Sequence, residues 1–361
     1  MQIRPYTSEL EPAVQAFNQR MLPAGERFPE SHVPDYPRVD GRRVYQDYFV
    51  AIDKTHVRGG YKLMYQAFWI DGKVEMIAGG PQGAVSEGIV DPQFRMVGIQ
   101  ALMDALRREP QLFALGIGGT QQGFARLLKA SRWTLGSVPF YFKVVKPARF
   151  LANIRYLRQK SGMGLLCDFL SRTYLGHIGL RTAQVRLPVL AKCHGELVPE
   201  FGSWADEIWN QAKREYTFAA VRDAAVLSIL HSGPKLLRMR VFQGSRTIGW
   251  VVMLNTAMTN HKQFGDVCLG SIVDCMAASG DAAQVIRCAT EYLEANGADL
   301  IVSNQSHDMW RRALFASGFL RGPSNYLLAL SPRLSEKLQP FETVQRRFHL
   351  TRGDGDGPIH L

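Results

Sequence analysis

Two apolar-rich runs, residues 61–70 and 73–78, meet at Asp71-Gly72. Runs of this length bounded by Asp-Gly predict two strands and a tight hairpin turn. The pattern returns over residues 236–242 and 247–255, which flank Gln243-Gly-Ser-Arg246. After each hairpin a further strand is expected, ending in Ile89-Val90-Asp91 in one instance and Ile272-Val273-Asp274 in the other. The period then changes to that of a helix. Val97, Ala101, Leu102 and Leu106 share one face, as do Val285, Ala289, Tyr292 and Leu293.

An apolar strand follows each helix, at 112–117 and 298–303. A second helix carries Arg126-Leu-Leu-Lys-Ala-Ser-Arg-Trp133 in the first half and Arg312-Ala-Leu-Phe-Ala-Ser-Gly-Phe319 in the second, at a constant offset of 186 positions. Final strands at 137–145 and 325–330 each end just before a proline, Pro147 or Pro332. The N-terminal edges match too. Residues 2–6 run into a helix with Val14, Phe17 and Met21 on one face, and 195–198 into a helix holding Trp204, Ile208 and Trp209. Six elements in the same order point to an internal duplication. The expected fold class is α/β, with two tandem mixed-sheet domains at 1–147 and 193–335, a helical connector at 148–192 and a mobile tail at 336–361.

A chain of 361 residues with 46% hydrophobic content is long enough for two cores. Its net charge of +11 is unevenly placed: residues 143–192 hold ten Lys or Arg and one acid, Asp168. Such a patch suits an acidic protein, an anionic membrane surface in peripheral contact, or a nucleic acid, and it is equally compatible with a solvated linker face. The five cysteines, Cys167, Cys193, Cys268, Cys275 and Cys288, show no zinc or C-x-x-C spacing and are expected to be reduced thiols. No apolar run approaches the ~20 residues of a membrane span, and the first residues lack the apolar segment of a secretory signal. A cytoplasmic setting is the expectation.

Candidate chemistry gathers at Val90-Asp-Pro-Gln-Phe-Arg95-Met-Val-Gly98-Ile-Gln100. The first amides of a helix are unpaired and, with the helix dipole, attract phosphate. Gly98 permits close approach, and Arg95 can add a charge-assisted bond. With the element order, this segment resembles the pyrophosphate loop of the GNAT (N-acetyltransferase-like) acyltransferase superfamily, whose pattern is Gln or Arg, two residues, Gly, one residue, then Gly or Ala. Gln100 departs from it. The resemblance implies an acyl-CoA or acyl carrier protein, each a 4'-phosphopantetheine thioester, as co-substrate, bound by Ile89, Val90, Arg95, Met96, Val97, Gly98, Ile99 and Gln100, with no metal. The matching segment of the second half, 275–284, has no Lys or Arg and has Asp281 at the expected N-cap, which disfavours phosphate. That asymmetry is similar to the tandem Fem-type aminoacyltransferases.

Direct attack of an amine on a thioester requires a proton acceptor. Glu87, interrupting an apolar strand, is the candidate base, with a pKa expected to be raised by partial burial. Gln121, Gln122 and Phe124 stand where such enzymes often place an acid, and none is a good one. Tyr36, Arg42, Arg43 and Tyr45, in a Pro-, Tyr- and Arg-rich stretch at 23–50, are candidates for gripping a small-molecule or sugar acceptor, with Tyr48 beside them. Asn304 and His307 follow a strand end, although His307 is also placed to cap a helix. The tail Thr351-Arg-Gly-Asp354-Gly-Asp356 lacks the remaining ligands of a calcium loop. The reading is an acyltransferase acting on an amine, with amino-sugar precursors of a cell-surface polysaccharide as acceptor by analogy. Its rivals are a tRNA-dependent aminoacyl transfer and a non-catalytic binding protein.

Overall fold

The structure is a computed structural model, and it describes residues 1–119, 123–155, 184, 192–261, 264–278 and 280–355. The chain runs through β1 (Gln2–Pro5), α1 (Glu11–Met21), β2 (Val44–Asp53), β3 (His56–Ile70), β4 (Lys73–Ser86), α2 (Val97–Arg108), β5 (Leu112–Ile117), α3 (Gly123–Ala130), β6 (Thr134–Ser137), β7 (Phe140–Val144) and α4 (Pro147–Asn153). It continues with β8 (His194–Leu197), α5 (Ser203–Ala212), β9 (Phe218–Ala220), α6 (Ala224–Leu230), β10 (Leu237–Gln243), β11 (Arg246–Ala257), β12 (Cys268–Ala277), α7 (Ala282–Ala295) and β13 (Leu300–Asn304). The last elements are α8 (Asp308–Ala316), β14 (Leu320–Gly322), β15 (Tyr326–Leu330), α9 (Pro332–Lys337), α10 (Phe341–Val344) and β16 (Phe348–His349). No helix among the described residues is long and apolar enough to cross a membrane.

Two units result: Met1–Ser137 with Asn325–Val344, and Val138–Ser324 with Gln345–Leu361. The first holds a sheet in the order β1-β2-β3-β4-β5-β15-β6, and the second a sheet in the order β14-β7-β13-β12-β11-β10-β8. In each, the parallel pair, β4 with β5 or β12 with β13, is joined by a crossover helix, α2 or α7. The closing strands are exchanged relative to the expected boundaries. Residues 137–145 were expected to close the first unit, yet β7 pairs with β13 and β14 of the second. Likewise β15 pairs with β5 and β6 of the first. The chain changes sheet at Val138-Pro139 and again at Pro323-Ser324, where a proline has no N–H to continue a ladder.

The duplication is visible in packing. A Cβ added at Gly59 of β3 would lie 2.6 Å from Val85 O and 2.8 Å from the Val97 side chain. One added at Gly249 of β11 would lie 2.5 Å from Met276 O and 2.6 Å from Val285. Each glycine thus lets the first turn of the crossover helix sit on the sheet. This makes β3 the counterpart of β11, so the hairpin at Asp71-Gly72 (φ 44° and 92°) corresponds to β11–β12 rather than to β10–β11. The shift arises because residues 44–53 form a strand, β2, and because β4 runs unbroken from Lys73 to Ser86.

In the first unit, Val14, Phe17, Met21, Phe28, Tyr48 and Val50 pack on one face of the sheet, and Leu63, Leu102, Ala105, Leu128 and Trp133 on the other. In the second, Val251, Ile272, Val285, Ile286, Trp310 and Leu314 belong to one core. The basic stretch is partly internal. Lys143 is buried, donating to Ser317 O at 2.7 Å and pairing with Glu294, while Lys146 and Arg149 both pair with Asp299. Most of 156–191, including Cys167 and much of the expected connector, lies outside the described residues.

Part of the expected mobile tail is also internal, from Phe348 to Asp354. Leu350 and Thr351 are fully buried, and Thr351 caps a turn in which Asp354 reaches back to the Thr351 N–H. Asp354 accepts from Arg222 Nη2 at 2.6 Å, and Arg222 Nε donates to both oxygens of Asp274 at 3.1 and 3.0 Å. Burial alone would raise the Asp274 pKa, but Arg222, then His231, hold it well below the usual range. Removing the cation leaves two buried carboxylates facing each other. Arg222→Leu is therefore expected to destabilise the second unit by roughly 3–5 kcal/mol, read as a lower urea midpoint.

Candidate functional site

Strands β4 and β5 pair at only two positions, Ala78 with Leu112 and Gly79 with Phe113. Beyond these β4 stays with β3 as far as Ser86, and β5 stays with β15 as far as Ile117. The two parallel strands therefore part, and a crevice opens between their carboxyl ends, the usual ligand position in an α/β sheet. Helix α2 begins just past the end of β4.

The link from β4 to α2 is a pair of tight turns, Glu87–Ile89 and Pro92–Phe94, the second capped by Asp91, whose carboxylate accepts from Gln93 N. Gly88 lets them fold together, since a Cβ there would lie 2.7 Å from Arg95 Cα. Within α2 the Gln100 N–H is already bonded to Met96 O. The N–H groups of Val97, Gly98 and Ile99 have no partner among the described residues, as befits a first turn. Arg95, Met96 and Gln100 are exposed, Ile99 is half-buried, and Val97 is buried against Gly59. Gly98 has room: a Cβ there meets nothing nearer than Ser86 Cβ at 3.9 Å. Val90 packs into the α1-side core, whereas Ile89 is exposed.

Glu87 does not occupy the position expected of a base. Its carboxylate is buried and takes hydrogen bonds from Arg20 Nε at 2.8 Å, Arg20 Nη2 at 3.1 Å and Arg58 Nη1 at 3.1 Å to each oxygen. Burial by itself raises its pKa, but the hydrogen bonds and charges of the two arginines outweigh that and hold it below its ordinary value. The expected direction is reversed. Arg58 in turn lies over the Phe94 ring at 4.1 Å, so Glu87 ties the turns after β4 to α1 and β3. Nothing local in the sequence announces Arg20 or Arg58, which lie 67 and 29 residues away.

The acceptor candidates fall in both units. Tyr45 lies on β2, stacked on Tyr65 at 4.8 Å with Arg38 over it at 4.1 Å, and is not in a loop. Tyr36 is half-buried, and its carbonyl accepts from Gln46 N; Arg42 and Arg43 are exposed. Tyr48 is buried, its hydroxyl accepting from Asp35 N and donating to Gln46. Asn304 and His307 belong to the second unit. Asn304 is buried and accepts from Arg352 Nε at 2.8 Å. His307 caps α8, its Nδ1 accepting from Met309 N at 3.1 Å, and burial lowers its pKa to about 4. It lines a cavity of about 700 Å³ with Arg312, Arg346 and Arg347. Gln121 and Gln122 lie outside the described residues, and Phe124 is exposed.

In the second unit the corresponding space beyond the β12–β13 pairing is filled. His349 bonds Cys275 O at 2.9 Å, Thr351 Oγ1 bonds Asp274 at 3.1 Å, and Thr351 bridges Gln305. Asp281, at the start of α7, pairs with Arg246 at 3.1 Å. Among the described residues no group of three or more His, Cys, Asp or Glu side chains is arranged to hold a metal.

No protein-family model matches the chain, and no curated protein does. Among solved structures, N-myristoyltransferase of Saccharomyces cerevisiae with bound myristoyl-CoA is similar at 10% identity and a TM-score of 0.52, over 91% of this chain and 78% of that one. The chain carries a tandem GNAT-like fold. Weaker likenesses include a probable N-acyltransferase of Enterococcus faecalis (10% identity, TM-score 0.49, 94% and 74% covered). Another is a GCN5-related N-acetyltransferase of Anabaena variabilis (13%, TM-score 0.47), in which 78% of this chain spans 62% of that one. Within the GNAT-like fold, the first unit keeps the open splay and the second does not.

Because its folded pKa is lowered, Glu87 contributes stability that is present above its unfolded pKa of about 4.5 and is lost as pH falls through the folded value. Glu87→Gln is expected to lower the stability of the first unit at pH 7 by about 1–3 kcal/mol. In urea unfolding the gap between wild type and variant should narrow as pH drops below that value.

Proposed function

We propose that the protein is an acyltransferase that moves an acyl group from an acyl-CoA or acyl carrier protein thioester to an amine, with the donor held by the first unit. The observation that carries this reading is the β4–β5 splay ending at three unpartnered amides of α2 next to an unobstructed Gly98. Glycine in the first turn is about 1 kcal/mol less favourable than alanine, and packing gives no reason for it. Close approach of a phosphate does. Arg95 supplies an exposed cation beside it, and Ile89, Met96, Ile117 and Phe124, exposed by 60%, 49%, 49% and 43%, supply apolar surface around the strand ends.

With Glu87 held by two arginines, the rate enhancement rests on placing the amine against the thioester; as the C–N bond forms the C–S bond breaks, and the amine proton passes through water to the leaving thiolate. The acceptor class that fits the family analogy is an amino-sugar precursor of a cell-surface polysaccharide, with Tyr36, Arg42, Arg43 and Tyr45 as its grip. The engagement of Glu87 favours one further reading, a thioester-binding protein without turnover.

Acetyl-CoA, long-chain acyl-CoA or acyl carrier protein at ~100 times its Kd is expected to add about 2.7 kcal/mol of stability in thermal unfolding. Arg95→Ala should abolish the gain. Gly98→Val should fold and still lose it, which separates a ligand role from a folding role. Absence of any shift in wild type removes the donor assignment, and binding without transfer to a panel of amines supports the binding-protein reading.

A further inference from the structure

We propose that the acceptor carries an anionic group, a carboxylate or a phosphate, seated by Lys62 on the α1 face of the first unit's sheet; this rests on the acyl-transfer reading. Successive residues of β3 point to opposite faces. Gly59 faces Val97 of α2, whereas Gly60 faces Phe28, whose ring would lie 2.8 Å from a Cβ at that position. Gly60 and Lys62 therefore share the face opposite the donor helix.

The sheet is irregular at Lys62. It pairs with Gln82, and the register of β3 with β4 shifts on both sides of that one pair, between Gly60 and Lys62 and again between Lys62 and Met64. Such bulges re-aim a side chain. Here they fall on the stretch of β4 that has left β5. The Lys62 stem lies over Gly83, where an added Cβ would be 2.9 Å from Cε and 3.3 Å from Nζ, and Gly83 has φ of +50°. A residue with a side chain at 83 would be strained and would displace the lysine.

Lys62 makes no hydrogen bond or ion pair among the described residues and lines a cavity of about 410 Å³ with Arg27, Phe28, Pro29, Glu30 and Gly83. That volume suits a small molecule. The cavity lining carries two cations, Arg27 and Lys62, against one acid, Glu30. A half-buried ammonium without a partner, over an accessible cavity at the splayed strand, is a counter-charge for a substrate anion.

The test compares matched amines that differ only in the anion: L-alanine with L-alaninamide, and glucosamine 6-phosphate with glucosamine. Calorimetric binding and acyl transfer are measured for wild type, Lys62→Met and Lys62→Arg, with thermal midpoints confirming that the variants fold. The anionic member of one pair is expected to bind at least tenfold more tightly to wild type and to Lys62→Arg, and the advantage to vanish in Lys62→Met. The pair that responds identifies carboxylate or phosphate. Equal binding of both members of both pairs, or a preference that survives Lys62→Met, overturns the inference. Lys62-dependent anion binding in a protein that binds no thioester leaves the anion site standing and overturns the acyl-transfer reading instead.

Discussion

The first unit is organised around one ionic knot, the Glu87 carboxylate held by Arg20 and Arg58. An ionised carboxylate removed from water is tolerated only if its charge and lone pairs are met, and two guanidinium groups meet both. The knot joins three elements: α1 through Arg20, β3 through Arg58 and the turn after β4 through Glu87 itself. Beyond Gly79, β4 continues its ladder with β3 and no longer pairs with β5. Tying the turn back toward α1 and β3 anchors it away from β5, and Arg58 over Phe94 extends the hold to the turn that presents α2. The crevice and the exposed first turn of α2 are thus consequences of where one carboxylate is anchored.

The second unit repeats the topology and solves the same problem differently. There the end of β12 carries Asp274, and the segment from Phe348 to Asp354 lies against it, joined through Arg222, Thr351 and His349. The carbonyl of Cys275, the side chain of Asn304 and the backbone of Gln305, groups that an open splay would leave to a ligand, are taken by the chain's own residues. The Ile-Val-Asp tripeptide common to both halves sits differently in each: Asp91 caps a turn outside the sheet, whereas Asp274 lies within β12 opposite a buried arginine.

Much of the architecture was legible because it depends on short-range pattern: the 2-to-3.6 change of period at Val97 and Val285, the Asp71-Gly72 turn, the apolar run at 112–117. What was not legible depends on long-range choice. Residues 326–330 are apolar at every position, and such a strand satisfies either sheet equally well by pattern alone. Residues 44–53 mix Tyr, Gln and Asp with Val and Phe, and only the pairing of β2 with both β1 and β3 makes them a strand. For the candidate site, the helix start at Val97 was readable because a helix start is local, while the state of Glu87 was not, because its partners arrive from α1 and β3.

The engagement of Glu87 also constrains the chemistry of acyl transfer in this fold. A carboxylate whose pKa lies below the ordinary range is a weak proton acceptor, and one bonded to two arginines has no lone pair directed at a substrate. An amine attacking a thioester becomes acidic only as the new bond forms, so a nearby water suffices if the nucleophile is already held in line. The structural demand then shifts from a base to a grip. In the first unit Lys62 and Arg27 line a cavity beside the splayed strand, and a grip of the proposed kind there would act through charge.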